Sequence, residues 1–140
     1  MESALKSGER DYGRTYVWHS GENQVVAFFT LSANVINSEE LPLNQARGQQ
    51  KIIPTVLLGK FALDESLQGE GLGEVLLADA VEEAVKASNI VAARFLVVDA
   101  ISEEIIGFYE KYGFTLSLSA KGAQPRLLAR LRDLKLTLGL

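Results

Sequence analysis

The sequence predicts one α/β domain in which a mixed β-sheet is flanked by helices. Apolar segments and amphipathic segments follow one another in the order strand, strand, strand, helix, strand, helix, strand, strand. A glycine-rich stretch at residues 68–73 joins the third strand to the first helix. The 140 residues, 47% of them hydrophobic and 23% charged, have the composition of one ordinary soluble domain. We therefore expect residues 1–140 to form a single domain.

Composition excludes several kinds of site. The chain has no cysteine, which rules out disulfides, thiolate metal ligands and a cysteine nucleophile. Its single histidine, His19, disfavours a histidine metal site, so we expect no metal. No apolar run approaches the roughly 18 residues that a membrane helix needs. The polar start of the chain is unlike a secretory leader, and we expect a cytoplasmic protein without membrane attachment.

The charge balance argues against a generally cationic nucleic-acid binder. With 14 basic and 18 acidic residues, the formal charge is −4 and the pI is about 5.0. A local basic patch stays open as an alternative to scattered, solvated charges. Its candidates lie near the start, in the middle and near the end of the chain: Lys6, Arg10, Arg14, Arg47, Lys51, Arg126, Arg130, Arg132 and Lys135.

The first half of the sequence predicts mainly β-strands. Residues 1–14 are polar and predict a frayed start or a short helix. Residues 16–19 and 24–31 are rich in aromatic and β-branched side chains and predict a hairpin. Residues 34–50 predict a long polar connection. A central strand should then begin at Thr55, because Pro54 lacks an N–H, and Gly59 marks a candidate bulge.

The second half of the sequence predicts helices that alternate with strands. The charged positions that begin at Asp79 repeat at helical spacing and predict a helix to about Ala87. Residues 91–98 predict a buried strand parallel to the central one, Ser102 caps the next helix, and an antiparallel pair at 115–118 and 126–131 closes the sheet. The first helix should bury Leu76, Leu77, Ala80, Val81, Ala84 and Val85.

The segment Gln68-Gly69-Glu70-Gly71-Leu72-Gly73 is the strongest chemical signal. Glycines between a strand and a helix let backbone N–H groups approach an anion at the helix N-terminus. A plain strand-to-helix turn also uses glycine. The segment is not a P-loop, because no Lys-Ser or Lys-Thr follows, and the acidic residue of a dinucleotide fingerprint is missing at its usual spacing.

Two motifs, in the right order, resemble the GNAT superfamily of acetyltransferases. Leu63-Asp64 followed by residues 68–73 matches the superfamily's acetyl-CoA motif, which reads Gln or Arg, two residues, Gly, one residue, Gly or Ala. Residues 104–114 resemble its later helix, in which a Phe-Tyr pair precedes a Gly-Phe strand entry. The resemblance covers about residues 55–115 and implies the GNAT fold with acetyl-CoA as co-substrate. It assigns cofactor binding to Phe61, Ala62, Leu63, Gln68, Gly69, Glu70, Gly71, Leu72, Gly73 and Phe108.

Within the superfamily, the segments Phe61-Ala62-Leu63-Asp64 and Gly107-Phe108-Tyr109 look most like the acetyltransferase toxins of toxin–antitoxin pairs. That resemblance implies acetylation of the amine of aminoacyl-tRNA, a ribbon-helix-helix antitoxin as partner and a homodimer. We expect the first strand and two helices of GNAT proteins to be abbreviated here, because the hairpin begins by Tyr16. Two alternatives stay open: an enzyme for a small amine or protein N-terminus, and a non-catalytic module that binds CoA or a partner.

For the chemistry, the resemblance makes Tyr109 the general acid that protonates the departing thiolate. A phenol has a pKa near 10, similar to that of an alkyl thiol, so it is protonated at neutral pH. The alternative is that Tyr109 only packs on the sheet, as we expect of Tyr112. The N–H groups of Ala62 and Leu63 should hold the pantetheine arm and polarise the thioester. No general base is evident, and Asp64 should cap the turn that follows it.

Overall fold

A computed structural model provides the structure of this protein. Side chains are described wherever the backbone is, except at residues 2–4, 9–10 and 91. The predicted turn at 119–125 and Lys6 lie mostly or wholly outside the described part of the chain. That part consists of residues 2–4, 9–10, 13–21, 23–100, 102–117 and 125–140.

An eight-stranded mixed sheet forms the centre of the molecule. Its order is β1-β3-β4-β5-β6-β8-β7, and β2 pairs with β3. The β5–β6 pair is parallel, and its neighbours β4–β5 and β6–β8 are antiparallel. The strands are β1 (Glu2–Ala4), β2 (Glu9–Arg10), β3 (Gly13–His19), β4 (Val25–Asn37), β5 (Ile52–Leu63), β6 (Phe95–Asp99), β7 (Thr115–Leu116) and β8 (Arg126–Arg130).

Helices cover both faces of the sheet. Side chains of α2 (Leu72–Val91), α3 (Glu103–Lys111) and α4 (Leu131–Leu138) join the larger buried cluster with Leu96 and Val98 of β6. The alternate β6 residues Phe95 and Val97 point to the opposite face, where Leu41 and the short α1 (Leu43–Ala46) close a smaller cluster. The fold class predicted from the sequence is confirmed.

Several local predictions are also confirmed. The hairpin forms as β3 and β4, and the strand after α2 pairs in parallel with β5. The Ser102 side chain accepts a hydrogen bond from the N–H of Ile105, as expected of a helix N-cap. Five of the six residues predicted for the core of α2 are buried, with Leu76 and Leu77 both 0% exposed, and Val85 is partly buried. Helical spacing and capping chemistry therefore identified these elements correctly.

Other boundaries were predicted wrongly. The start of the chain contributes β1 and β2 rather than a helix, because β3 offers main-chain partners to polar residues. Residues 34–37 continue β4, and β5 begins at Ile52. The strand β6 pairs with β5 only at Val56–Leu58. Pro54 precedes this segment, so the side of Pro54 that faces away from β4 has no partner in β6. Proline is tolerated there because no ladder bond is needed on that side.

The second half also departs from prediction at two points. The helix α2 runs to Val91 instead of ending near Ala87, so the following strand begins at Phe95. It stops at Ala92, whose φ of 59° is left-handed, a position usually taken by glycine. The helix α4 was missed although Leu131, Leu134 and Leu138 repeat at helical spacing, and the strand predicted to reach Leu131 ends at Arg130.

Substitution of one buried leucine tests the α2 packing. We expect Leu77→Ala to lower the free energy of unfolding by about 2–5 kcal/mol, because the deleted methyl groups leave a cavity in a close-packed core. The control Val75→Ala, in the same helix but 47% exposed, should cost less than about 1 kcal/mol. Urea denaturation of both variants measures the difference, and equal losses would contradict the packing described for α2.

Candidate functional site

Pairing between β5 and β6 stops at Leu58, and the opening left beside the rest of β5 is called the cleft. Their pairing includes Val56, Leu57 and Leu58. Beyond Leu58, β5 continues to Leu63 along β4, while β6 continues to Asp99 along β8. Residues 59–63 of β5 thus form one wall of the cleft, with main-chain groups on that side unpaired by β6.

A β-bulge turns β5 away at the point of separation. Two residues, Gly59 and Lys60, lie opposite the single residue Thr30 of β4. The Lys60 N–H donates to Thr30 Oγ1 at 2.8 Å, and a Cβ on Gly59 would approach the same oxygen to 2.8 Å. Glycine is therefore required by a close approach, and the sequence-based assignment of a bulge at Gly59 is confirmed.

The alternation of hydrogen bonds identifies which N–H groups face the cleft. The Asp64 N–H donates to the Val26 carbonyl at 2.8 Å, so Asp64 and, two residues earlier, Ala62 point their main-chain groups towards β4. Phe61 and Leu63 consequently point theirs into the cleft. The Ala62 N–H, which we expected to hold the pantetheine arm, therefore points to β4, and the cleft-facing N–H groups are those of Phe61 and Leu63.

The segment between β5 and α2 presents backbone donors. Asp64 caps a 3₁₀ turn at Glu65–Leu67 by accepting from the Ser66 N–H, as predicted. Gln68 closes this turn rather than facing an anion, because its N–H donates to the Glu65 carbonyl at 3.2 Å and its Nε2 donates to the Leu63 carbonyl at 3.0 Å. Gln68 therefore positions the loop, and its own N–H is already used.

Positive φ angles at Gly69 (84°) and Gly71 (76°) bend the chain into the start of α2. No described residue accepts a hydrogen bond from the N–H groups of Gly69, Glu70 or Gly71. The first turn of α2, beginning at Leu72, adds further unpaired donors and the positive end of the helix dipole. Residues 69–73, which we call the glycine loop, therefore form a cradle suited to a phosphate group.

The glycine loop and α3 meet at Gly73 and Phe108. A Cβ on Gly73 would lie 3.3 Å from the Phe108 ring, so glycine allows α2 to approach α3 closely. The Phe108 ring centroid lies 5.9 Å from that of Phe61 on β5 and 5.2 Å from that of Tyr109. Two neighbouring segments, β5 and the glycine loop, thus meet α3, which lies 30 residues later in the sequence, at the cleft.

Tyr109 lies inside this aromatic cluster. Its ring makes edge contacts with Phe61 at 6.0 Å and Phe114 at 5.1 Å between centroids, and the residue is 2% exposed. Burial raises the pKa of Tyr109. No described residue hydrogen-bonds to its hydroxyl, and this oxygen is not one of the enclosed, unpartnered polar atoms. The side chain therefore combines a packed ring with a neutral hydroxyl that is available to another group.

The neighbouring Tyr112 has a different role. Its hydroxyl donates to Glu74 Oε1 at 2.9 Å and its ring packs on Phe108, so it joins the end of α3 to the start of α2. Burial, followed by the hydrogen bond to Glu74 and its charge, raises the pKa of Tyr112. The prediction that Tyr112 is a packing residue is confirmed, and the hydrogen bond to Glu74 is an addition that sequence spacing did not reveal.

The carboxylate of Asp64, at the end of β5, is poorly suited to accept a proton. Hydrogen bonds from the Ser66 hydroxyl and N–H hold the pKa of Asp64 below its usual range. Asp64 is therefore a cap rather than a base.

Among the described residues there is no group of three His, Asp or Glu side chains that could hold a metal ion. No helix in the described ranges has the length and apolarity to cross a membrane.

The candidate residues of the basic patch lie in different surroundings in the structure. Arg126 is engaged within the protein, because its guanidinium bonds both oxygens of Asp99 at 2.7 and 3.0 Å and lies 3.8 Å from Glu40. Arg126, one of the candidates for a basic patch, is therefore already paired within the protein. The Arg10 side chain lies outside the described part of the structure, whereas Arg47 borders a cavity at the other end of the sheet.

Comparisons with known proteins place the chain in a family. The model of the acetyltransferase (GNAT) domain matches residues 11–116. The tRNA-acetylating toxin of Mycobacterium tuberculosis (strain ATCC 25618 / H37Rv) is 31% identical over 96 residues, which are 69% of this chain and 58% of that relative. The match thus spans less than two thirds of the relative's length.

Two solved structures have the same fold. AtaT complexed with acetyl-methionyl-tRNAfMet superposes with a TM-score of 0.78 at 30% identity, covering 89% of this chain and 75% of that one. A tyrosine-to-phenylalanine mutant of AtaT, bound to the C-terminus of the antitoxin AtaR and acetyl-CoA, gives a TM-score of 0.70 at 28% identity, covering 89% and 71%. This chain belongs to the GNAT acetyltransferase family.

Proposed function

We propose that this protein binds acetyl-CoA in the cleft between β5 and β6 and transfers the acetyl group to an amine. One observation carries the proposal. Cleft-facing N–H groups of β5, the donors of the glycine loop and the Tyr109 hydroxyl belong to three segments that meet at one cleft. Each supplies one requirement of acyl transfer: an extended binding edge, an anion cradle and a proton donor.

The glycine loop would hold the pyrophosphate. Donors from Gly69 to Gly73 and the N-terminal end of α2 favour negative charge there. A Cβ added at Gly69 or Gly71 would meet no protein atom within 4 Å, so the space in front of the loop is free for a ligand. The positive φ at both positions explains why glycine is needed.

The wall of β5 would hold the pantetheine arm. Phe61 and Leu63 present successive cleft-facing N–H groups, about 6.6 Å apart along an extended strand. Amide groups of an extended ligand can pair with such a free edge as an added strand would. The N–H nearer the thioester would polarise its carbonyl and stabilise the oxyanion that develops there.

The transfer itself needs few protein groups. The neutral amine attacks the thioester carbonyl carbon, a C–N bond forms, and the C–S bond breaks as the tetrahedral intermediate collapses. The Tyr109 hydroxyl gives its proton to the departing thiolate, while the amine loses one proton to water, which restores the phenol. An α-amino group has a pKa near 8, so a useful fraction is neutral without a dedicated base. Tyr109 is kept protonated by burial.

For the acceptor, we propose the amine of aminoacyl-tRNA, so that the protein acts as a toxin that blocks translation in the cytoplasm. The tRNA-acetylating toxin of M. tuberculosis and the AtaT complex with acetyl-methionyl-tRNAfMet support this acceptor. The antitoxin-bound AtaT supports an antitoxin as partner, and a ribbon-helix-helix antitoxin stays a prediction. A homodimer stays a prediction. The acidic pI of about 5.0 favours the rival, an enzyme for a small amine or a protein N-terminus.

Replacing one glycine of the loop tests the cofactor site. We expect Gly71→Val to abolish or greatly weaken acetyl-CoA binding, because a branched side chain fills the approach of the phosphates. Gly48→Val is a matched control: Gly48 also has a positive φ (81°) and open space around it, but lies after α1. Both variants should lose similar stability, of the order of 1–2 kcal/mol. Calorimetry with acetyl-CoA should separate them, and unchanged affinity in folded Gly71→Val would refute the assignment.

Removal of one hydroxyl tests the general acid. Tyr109→Phe should keep the fold and the CoA affinity but slow acetyl transfer by about 10² to 10⁴. Tyr112→Phe is the matched control on the same helix; it should lose about 1 kcal/mol of stability with the Glu74 bond but retain its turnover. Because the pKa of Tyr109 is raised, the wild-type rate should not fall on its account until the pH exceeds about 10.

The assay uses an aminoacyl-tRNA pool and, in parallel, a panel of small amines, at fixed acetyl-CoA. The acceptor whose acetylation is lost in Tyr109→Phe identifies the substrate class. Full activity of Tyr109→Phe would leave that residue a packing role and move proton donation to water. A wild-type protein that binds acetyl-CoA but acetylates none of the acceptors would favour the non-catalytic module.

A further inference from the structure

A second cavity lies at the end of the sheet opposite the cleft. Its volume is about 500 Å³, and its walls come from the end of α1, the last turns of α2, the start of β6 and the junction of β8 with α4. None of the described aspartates or glutamates lines it. Five of the lining side chains are cationic: Arg47, Arg94, Arg130, Arg132 and Lys135. We call this group the basic cavity.

Four of these cations lack an internal counter-charge. No described carboxylate lies within ion-pair distance of Arg47, Arg94, Arg130 or Lys135. Arg132 lies 3.5 Å from its chain neighbour Asp133, but the two side chains are 76% and 53% exposed, so this pair is weak. In a protein whose net charge is −4, the basic cavity is a local concentration of positive charge, and an anion bound there would relieve the repulsion.

The acetyl-CoA pyrophosphate cannot be that anion if it occupies the glycine loop. Leu72 starts α2 beside the loop, whereas Ser88, sixteen residues later, lines the basic cavity. A helix rises 1.5 Å per residue, so the two places are about 24 Å apart. The ligand of the basic cavity is therefore a separate polyanion or a part of a long acceptor.

We infer that the basic cavity binds backbone phosphates of an RNA, at a contact remote from the reacting amine. This inference rests on the proposed function, in which the acceptor is a tRNA large enough to reach both ends of the domain. Guanidinium groups bind phosphate oxygens in pairs, and four of the five cations are arginines. The exposed side chains of Arg94 and Arg132 extend the positive charge beyond the cavity wall. An RNA strand carries phosphates at regular intervals, so it can contact positive charge both inside and outside the cavity.

Gln45 favours RNA among the possible polyanions. It lines the basic cavity, and its Oε1 is enclosed without a hydrogen-bond partner. An unsatisfied amide at the wall of a cavity needs a polar partner. A rotation of this side chain would let it accept a hydrogen bond from a ribose 2′-hydroxyl, the group that distinguishes RNA from DNA.

The experiment compares two double variants that remove the same charge. Arg94→Ala with Arg132→Ala removes two exposed cations of the basic cavity, and Lys86→Ala with Lys111→Ala removes two exposed cations elsewhere on the full chain. Fluorescence anisotropy with deacylated tRNA, in KCl from about 50 to 200 mM, measures affinity and its salt dependence. We expect the tRNA affinity of the cavity variant to be at least about tenfold lower than that of the wild type. The slope of log K for tRNA binding against log salt concentration should be smaller in magnitude by about 2. The control should resemble the wild type.

Equal affinities and slopes for the two double variants would overturn the inference and leave the arginines as solvated charges. The inference would also be overturned if inorganic pyrophosphate bound to the wild type but not to the cavity variant, and deacylated tRNA did not displace it. That result would indicate a site for a small anion. Acetylation separates this failure from failure of the proposed function. If the wild type acetylates aminoacyl-tRNA and the cavity variant does so with unchanged KM, only the inference fails. If the wild type acetylates small amines and binds no tRNA, both fail, while calorimetry with acetyl-CoA still reports on the cofactor site.

Discussion

The parting of β5 from β6 after Leu58 is the constraint on which the candidate site depends. A parallel pair that continued to Leu63 would use the cleft-facing N–H groups of Phe61 and Leu63 within the sheet. The bulge at Gly59 and Lys60 prevents this, because it adds one residue to β5 and redirects the strand along β4. The rings of Phe61, Phe108 and Tyr109 pack against one another and join this part of β5 to α3.

Parts of this site could be predicted because local chemistry determines them. A glycine at positive φ, a serine at a helix N-cap and leucines at helical spacing have the same conformation in many folds. The strand-to-helix connection at the glycine loop, the cap at Ser102 and most of the core of α2 were therefore predicted correctly. The choice between Ala62 and Phe61 depends instead on which residue of β5 pairs with β4. The sequence indicates the bulge at Gly59, but it does not specify the Asp64 bond to Val26, which fixes that register.

Other features could not be predicted because the signal lies in tertiary pairing. Nothing in the sequence ends α2 at Ala92, where an alanine adopts a left-handed conformation without a glycine or proline. The polar start of the chain becomes strand through main-chain bonds to β3. The basic cavity draws Arg94 and Arg130 from positions 36 residues apart, so composition and spacing gave no reason to group them, whereas Arg126 pairs internally with Asp99.

The most direct test of the account is amide hydrogen exchange at three successive residues of β5, followed by NMR with and without acetyl-CoA. In the free protein, the Ala62 amide should be protected by β4, whereas the amides of Phe61 and Leu63 should exchange faster. Acetyl-CoA should protect Phe61 and Leu63 and shift their resonances. Protection of Phe61 and Leu63 in the free protein, or no response of either amide to saturating acetyl-CoA, would contradict a cofactor cleft formed by the parting of β5 from β6.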